Sequence, residues 1–292
     1  MSRILSNKLI LGTVQMGLSY GINNTTGKVS LENSHEILEY AFNHGIKILD
    51  SAEAYGNAHE VIGSFHKNNP NKSFEVITKL PHQFNADIND KVNTYLSDLQ
   101  VNQLHALLFH SFSSYKENVD NFKVLTNLKA SGKIKYIGVS VYTNEEIEDV
   151  LLNDDVDIIQ LPFNLFDNSN LRGSILEKAK SKGKTIHTRS ALLQGLFFKD
   201  IDSDNQTVKS LKNELTQLSN ITKSNDTSVA QLALNYCLQQ TTIDNVLVGV
   251  DSKQQLEDNL QSLDYALEAR TIDEINNIKV SNINLLNPSL WN

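Results

Sequence analysis

The chain of 292 residues carries 26 basic against 34 acidic side chains, a formal charge of −8, and is 40% hydrophobic and 21% charged. This balance suits a large globular domain, and it excludes a disordered or fibrous chain and the basic footprint of a nucleic-acid binder. No apolar stretch approaches the ~18 residues of a membrane span, and the opening MSRILSNKLILGTVQMG is broken by Gly12 and Thr13 with no small-residue cleavage signature behind it, so no membrane partner and a cytoplasmic location are expected.

In chain order, the strand candidates are LILGT (9 to 13), IKILD (46 to 50), FEVITK (74 to 79), ALLFH (106 to 110), YIGVS (136 to 140), DIIQL (157 to 161), TIHTR (185 to 189) and NVLVGV (245 to 250). Most are continuous apolar runs, the pattern of strands covered on both faces in a parallel sheet. Between them Ile37, Leu38, Ala41 and Phe42, then Val92, Tyr95, Leu96 and Leu99, then Ile147, Val150 and Leu151, then Leu171, Ile175, Leu176 and Ala179 recur at helical spacing. Gly45, Gly132 and Gly183 follow such segments and suit helix stops. Eight strands alternating with helices, with no linker rich in Pro, Gly or Ser, predict an α/β fold: a single-domain (β/α)8 TIM barrel over residues 1–292, in preference to an open doubly wound sheet.

The longest interval lies between the seventh and eighth strand candidates. Residues 192–209 begin apolar and turn acidic and polar, which predicts an extended loop over the barrel mouth, with helix from about Leu211 onward. Further on, Cys237 shares helical spacing with Leu232, Ala233 and Tyr236, so the only cysteine is expected in the core.

Active sites of this architecture form at the C-terminal ends of the strands. Asp50 ends the second strand candidate, Tyr55 lies in the loop after it, Lys79 ends the third and His110 the fourth. Each alone has an ordinary reading, as a helix cap, a packing ring, a solvated ammonium or a satisfied imidazole. Together they make a proton-handling set. A phenol of pKa ~10 serves as an acid and ionises more readily beside a cation. Lys79 is the expected cation, Asp50 its anchor, and His110 a hydrogen-bonding group for a substrate oxygen. A Schiff-base lyase with Lys79 as nucleophile is the rival use of these residues, opposed by Asp50, which would keep the amine protonated. No GxGxxG after a strand, GxxxxGK[ST], HExxH or paired CxxC occurs, and no metal site is expected.

The segments GIKILDSAEAYGNAHEVIG, VITKL, LLFH, GKIKYIGVS and IIQLPFNLFD, in that order over nearly the whole chain, resemble those of the aldo-keto reductases. The resemblance implies hydride transfer between a nicotinamide cofactor and a carbonyl carbon, with Asp50, Tyr55, Lys79 and His110 as the tetrad and Tyr55 as proton donor. It implies that Ser140 and Gln160 hold the nicotinamide carboxamide, although Val141 stands where an asparagine often follows the serine. Arg189 takes the place where many members set an aromatic ring against the nicotinamide, and Ser190, Leu192, Gln194 and Gly195 match the segment along the pyrophosphate. Asn164 matches a position near the carboxamide site.

At the adenosine end, VGVDSKQQLEDN places Gly249, Asp251, Lys253, Gln255 and Asn259 at matching positions. Gly249, Asp251 and Gln255 replace basic residues that many members use for a 2′-phosphate. Either NADP or NAD is therefore expected, with weak preference for the phosphate and Lys253 as its cation. A barrel that binds the cofactor but serves as a regulatory subunit is an alternative, and the complete tetrad favours the enzyme. The expected partner is a small carbonyl compound, a ketone or a sugar, with Tyr20, Phe84, Phe112, Phe163, Phe197 and Phe198 as pocket walls.

Overall fold

The computed structural model describes residues 5–24, 26–84 and 87–291. Eight strands, β1 (Leu9–Gly12), β2 (Ile48–Asp50), β3 (Glu75–Leu80), β4 (Leu104–Phe109), β5 (Ile134–Ser140), β6 (Ile158–Pro162), β7 (Thr185–Arg189) and β8 (Asn245–Gly249), pair in sequence order. All pairings are parallel, and β1 closes the barrel on β8. Helices fill the crossovers, including α1 (Leu31–Asn43), α2 (Ala58–Asn68), α3 (Ile88–Leu99), α4 (Phe122–Ala130), α5 (Asn144–Val150), α6 (Ser169–Ser181), α7 (Lys212–Ser224), α8 (Val229–Leu238) and α9 (Lys253–Gln261). The chain is thus a single α/β domain around a closed parallel barrel, as the alternation of strands and helices predicts.

The helix boundaries have local causes. Ser30 caps α1 by accepting the Asn33 N–H, while Thr143 with Glu146 and Ser228 with Gln231 form reciprocal capping boxes on α5 and α8. The glycines expected to stop helices, Gly45, Gly132 and Gly183, all have positive φ. Cys237 is fully buried on α8 with Sγ 3.5 Å from the Phe163 carbonyl oxygen, and burial pushes its thiol pKa up.

Period-two alternation of the strands positions the site. Ile10, Ile77, Ala106, Leu108 and Ile158 fill the barrel interior, with Ile48, Tyr136 and Leu247 packed against them. Two residues beyond the last of these on each strand, on the same inward face, stand Gly12, Asp50, Lys79, His110, Gly138, Gln160 and Gly249. Ser140 is in register with Gln160, and Gln160 with His187. The apolar plug ends where the titratable groups begin.

The interval at 192–209 differs from its expected form. It contains 3-10 turns within Leu193–Phe198, kinked at Gln194 and Gly195, and a short helix, Gln206–Ser210, where the sequence predicts loop. The Asn205 side chain accepts the N–H groups of Thr207 and Val208 to start that helix. Five residues make little more than one turn, too short for an apolar periodicity to register.

Candidate active site

Asp50 and Lys79 are each 2% exposed and form a buried ion pair. Lys79 Nζ donates to Asp50 Oδ1 and to the Ser51 carbonyl oxygen at 3.0 Å, and Gln160 Nε2 donates to Asp50 Oδ2 at 2.8 Å. Thr13 donates its hydroxyl to the Asp50 carbonyl oxygen at 3.0 Å. Both carboxylate oxygens are therefore engaged, the condition under which a buried charge is tolerated. Burial pulls Lys79 below the usual ammonium range, with Asp50 opposing.

Tyr55 sits above this pair. Lys79 Nζ lies 5.2 Å from its ring centroid, and the His110 ring meets it edge-on at 5.8 Å. His82 stacks on His110 at 4.6 Å and places Nδ1 3.1 Å from Ser111 Oγ. Burial raises the Tyr55 pKa well above the usual phenol range, Asp50 adds to the rise, and Arg189 opposes it. Lys79 was expected to ease ionisation of the phenol. Its charge is instead balanced by Asp50 at hydrogen-bonding distance, and Arg189 supplies the lowering. His110 is pushed down to about 3 by burial and by the neighbouring Lys79, His82 and Arg189, so it is neutral near pH 7. Its Nδ1 is buried without a hydrogen-bond partner among the described residues.

The loop carrying Tyr55 is fixed by backbone contact with the segment after β1. A Cβ at Gly17 would fall 1.7 Å from the Tyr55 carbonyl oxygen, and one at Gly56 would fall 2.5 Å from the Gly17 carbonyl oxygen. Only glycine permits this approach at both positions, and Gly56 also has a φ of 56°.

The other residues expected in the site lie at the ends of β5 to β8 and in the segments that follow them. Ser140 and Gln160 are buried beside each other, 4% and 1% exposed. Arg189 is half-buried at the end of β7, its Cζ 4.1 Å over the Tyr142 ring and its Nη2 donating to the Val141 carbonyl oxygen at 3.3 Å. Beyond it, Ser190, Leu193, Gln194 and Gly195 all have positive φ, and Leu192 lies between, its carbonyl accepting the Gly195 N–H at 2.8 Å. A non-glycine residue in the left-handed region costs of order 1–3 kcal/mol, and such strain concentrates at ligand-holding segments.

Three side-chain bonds tie the segment after β1 to these segments. Gln194 Nε2 donates to the Tyr20 hydroxyl at 2.7 Å, Asn23 Nδ2 to the Gly195 carbonyl oxygen at 2.7 Å, and Asn24 Nδ2 to Asp251 Oδ1 at 3.0 Å. Gly249 packs against Gln15, where a Cβ would come within 2.8 Å of the amide nitrogen. Gln255 Oε1 accepts the Asp251 N–H at 2.8 Å, and Ser252 caps α9 through the Gln255 N–H. Burial raises the Asp251 pKa. Lys253 is exposed, its Nζ 5.6 Å from the Tyr40 ring centroid, and Asn259 is buried on α9.

Asn164 has a local role: its Oδ1 accepts the N–H groups of Phe166 and Asp167 and shapes the turn after β6. Two expected pocket walls are core residues instead. Phe163 is fully buried and stacked on Tyr236 at 5.5 Å, and Phe197 packs edge-on against Phe166 at 5.0 Å. Tyr20 and Phe198 are exposed, and Phe84 and Phe112 are half-buried. Sequence reasoning missed Tyr142 and Asn24. Tyr142 follows the β5 strand end by two residues, a signal available from position alone, whereas nothing local marks Asn24 as a partner of Asp251.

The model of the Aldo/keto reductase family matches residues 8–280. The aldo-keto reductase YhdN of Bacillus subtilis (strain 168) is 25% identical over 94% of this chain and 90% of its own. The NADH-specific methylglyoxal reductase of Escherichia coli (strain K12) is 23% identical over 76% of this chain and 80% of its own. Among solved structures, the aldo-keto reductase AKR11C1 from Bacillus halodurans, in its holo form, shares the fold with a TM-score of 0.77 at 19% identity, covering 94% of this chain and 93% of that one. The match across the barrel makes this chain a member of the aldo/keto reductase family, oxidoreductases that use NAD(P)H.

Proposed function

We propose that the chain reduces an aldehyde or ketone, or runs the reverse oxidation, with Tyr55 as the group that moves the proton. The observation that carries this reading is the convergence of Tyr55 and His110 above the buried Lys79–Asp50–Gln160 network. A nicotinamide held at the mouth supplies or accepts the hydride. Ser140 and Gln160 suit its carboxamide: both are buried and polar, and Gln160 keeps its amide oxygen beside a nitrogen committed to Asp50. Ser190, Leu192, Gln194 and Gly195 suit the pyrophosphate, and Gly249, Asp251, Gln255 and Asn259 the adenosine.

Tyr55 holds its proton at neutral pH because burial and Asp50 disfavour the phenolate. It releases that proton only to an oxygen gaining negative charge, and the positive charge of Arg189 favours the phenolate left behind. A neutral His110 has one N–H with which to orient the carbonyl oxygen. The ion pair and burial of Lys79 support a positioning role for it over a nucleophilic one.

The acidic, cation-poor adenosine end supports a weak preference between NADPH and NADH, since a carboxylate repels a 2′-phosphate and accepts from a 2′-hydroxyl. Residues 192–209, with their 3-10 turns and short helix, are read as the segment bordering the mouth, and the cytoplasm as the compartment. The test is turnover of NADH and of NADPH, side by side, with methylglyoxal, glyceraldehyde and simple sugars, in wild-type protein and in Tyr55→Phe. Turnover that survives in Tyr55→Phe at the wild-type rate removes the assignment.

A further inference from the structure

We infer that the charge of Arg189 makes this chain bind the reduced dinucleotide in preference to the oxidised one. The inference rests on the nicotinamide placement proposed above. Three observations carry it. Arg189 ends β7, and its backbone is in register with Pro162, two residues beyond Gln160 on β6. Its guanidinium is held in place by the Tyr142 face at 4.1 Å and by the Val141 carbonyl oxygen at 3.3 Å. No carboxylate among the described residues pairs with it: Asp50 is engaged by Lys79 and Gln160, and Asp167 by Arg172 Nε at 2.6 Å and Nη2 at 2.9 Å. Arg189 acts as a positive charge on Tyr55, Tyr20 and His110, lowering the pKa of all three, although burial raises both phenols by more.

An aromatic ring at this position would be uncharged, and its face would attract a cation. A guanidinium stacks on a planar ring equally well but carries a full positive charge. The oxidised nicotinamide ring is cationic and the reduced ring is neutral. The same contact therefore repels one redox form and accepts the other. For two unit charges ~4 Å apart, even the screening of bulk water leaves about a fivefold effect on affinity, and a less polar surrounding raises it. The chain would hold NAD(P)H firmly and release NAD(P)+ readily, a bias toward the reductive direction.

The experiment is calorimetric titration of the full chain with NADH, NAD+, NADPH, NADP+ and ADP-ribose, for wild type, Arg189→Phe and Arg189→Gln. Both variants should lower the ratio of oxidised to reduced Kd at least about fivefold, with ADP-ribose affinity unchanged, because that ligand has the adenosine and pyrophosphate but no nicotinamide. Arg189→Gln removes the charge while keeping a polar side chain, and stands in if the phenylalanine variant does not fold. An unmoved ratio overturns the inference alone. Equal weakening of all five ligands also overturns it, since Arg189 would then serve the pyrophosphate. Wild-type protein that binds none of the five overturns the cofactor reading and the inference together.

Discussion

At the tetrad each ionised side chain is answered by another inside the barrel: Lys79 by Asp50, and Asp50 again by Gln160. At the proposed adenosine end the polar groups are spent on local structure, with Gln255 on the Asp251 backbone, Ser252 on the first turn of α9, and Lys253 lying exposed near Tyr40. The first region is preorganised by burial, so a single change there disturbs several partners. The second is half open, so a single change should act nearly alone. Strength of coupling is what separates the proposed chemical end of this site from its proposed anchoring end.

The largest effect expected is at Tyr55. Tyr55→Phe removes a proton transfer worth about 10²- to 10⁴-fold in rate, while dinucleotide affinity measured by titration stays near the wild-type value. Next is the ion pair. Lys79→Met leaves Asp50 buried without its cation, which should destabilise the fold by about 3–5 kcal/mol in urea denaturation, and adding Asp50→Leu should restore most of that loss. A double variant no more stable than Lys79→Met would break the idea that the two residues act as a unit.

The third effect is one of pH. His110 and His187 have pKa values pushed down to about 3 by burial, against 6.5 for the free imidazole. Between those values the unfolded chain takes up protons that the native state refuses. Each histidine therefore contributes stability that is complete above pH 6.5 and is lost as the pH falls toward 3, with a slope of up to about 1.4 kcal/mol per pH unit. His187→Gln should flatten the fall in urea midpoint between those pH values, and an unchanged slope would mean that His187 is protonated in the native state.

The smallest effects belong to the anchoring end. Asp251→Arg should move the NADPH to NADH affinity ratio toward NADPH by about tenfold or more, the size of one charge-assisted contact. Lys253→Ala should move it toward NADH by less than that, because the ammonium is solvated. A wild-type preference for NADPH of about a thousandfold, roughly 4 kcal/mol, would show that backbone amides or other residues hold the phosphate.

The sequence made the chemical end legible for the reason it is strongly coupled. Asp50, Lys79 and His110 each lie two residues past an apolar plug residue, so strand period and strand end locate them together. Tyr55 follows from the short loop after Asp50. The anchoring end was legible only as an absence of positive charge, because which groups meet there depends on loop conformations with no periodic signature. Asn24 reaches Asp251 across 227 positions of sequence. The same limit explains Phe163 and Phe197: an aromatic residue near a strand end reads alike whether it faces the mouth or, as here, packs on Tyr236 of α8 or on Phe166 in the turn after β6.

The contact between Gly17 and Gly56 inverts the usual logic of alanine scanning. Alanine is chosen as the mildest probe because it deletes a side chain, but at Gly17 it adds the one atom that the Tyr55 carbonyl oxygen leaves no room for. A scan of these loops should therefore record Gly17, which has no functional group, among the positions most damaging to turnover. Its defect would lie in the placement of Tyr55.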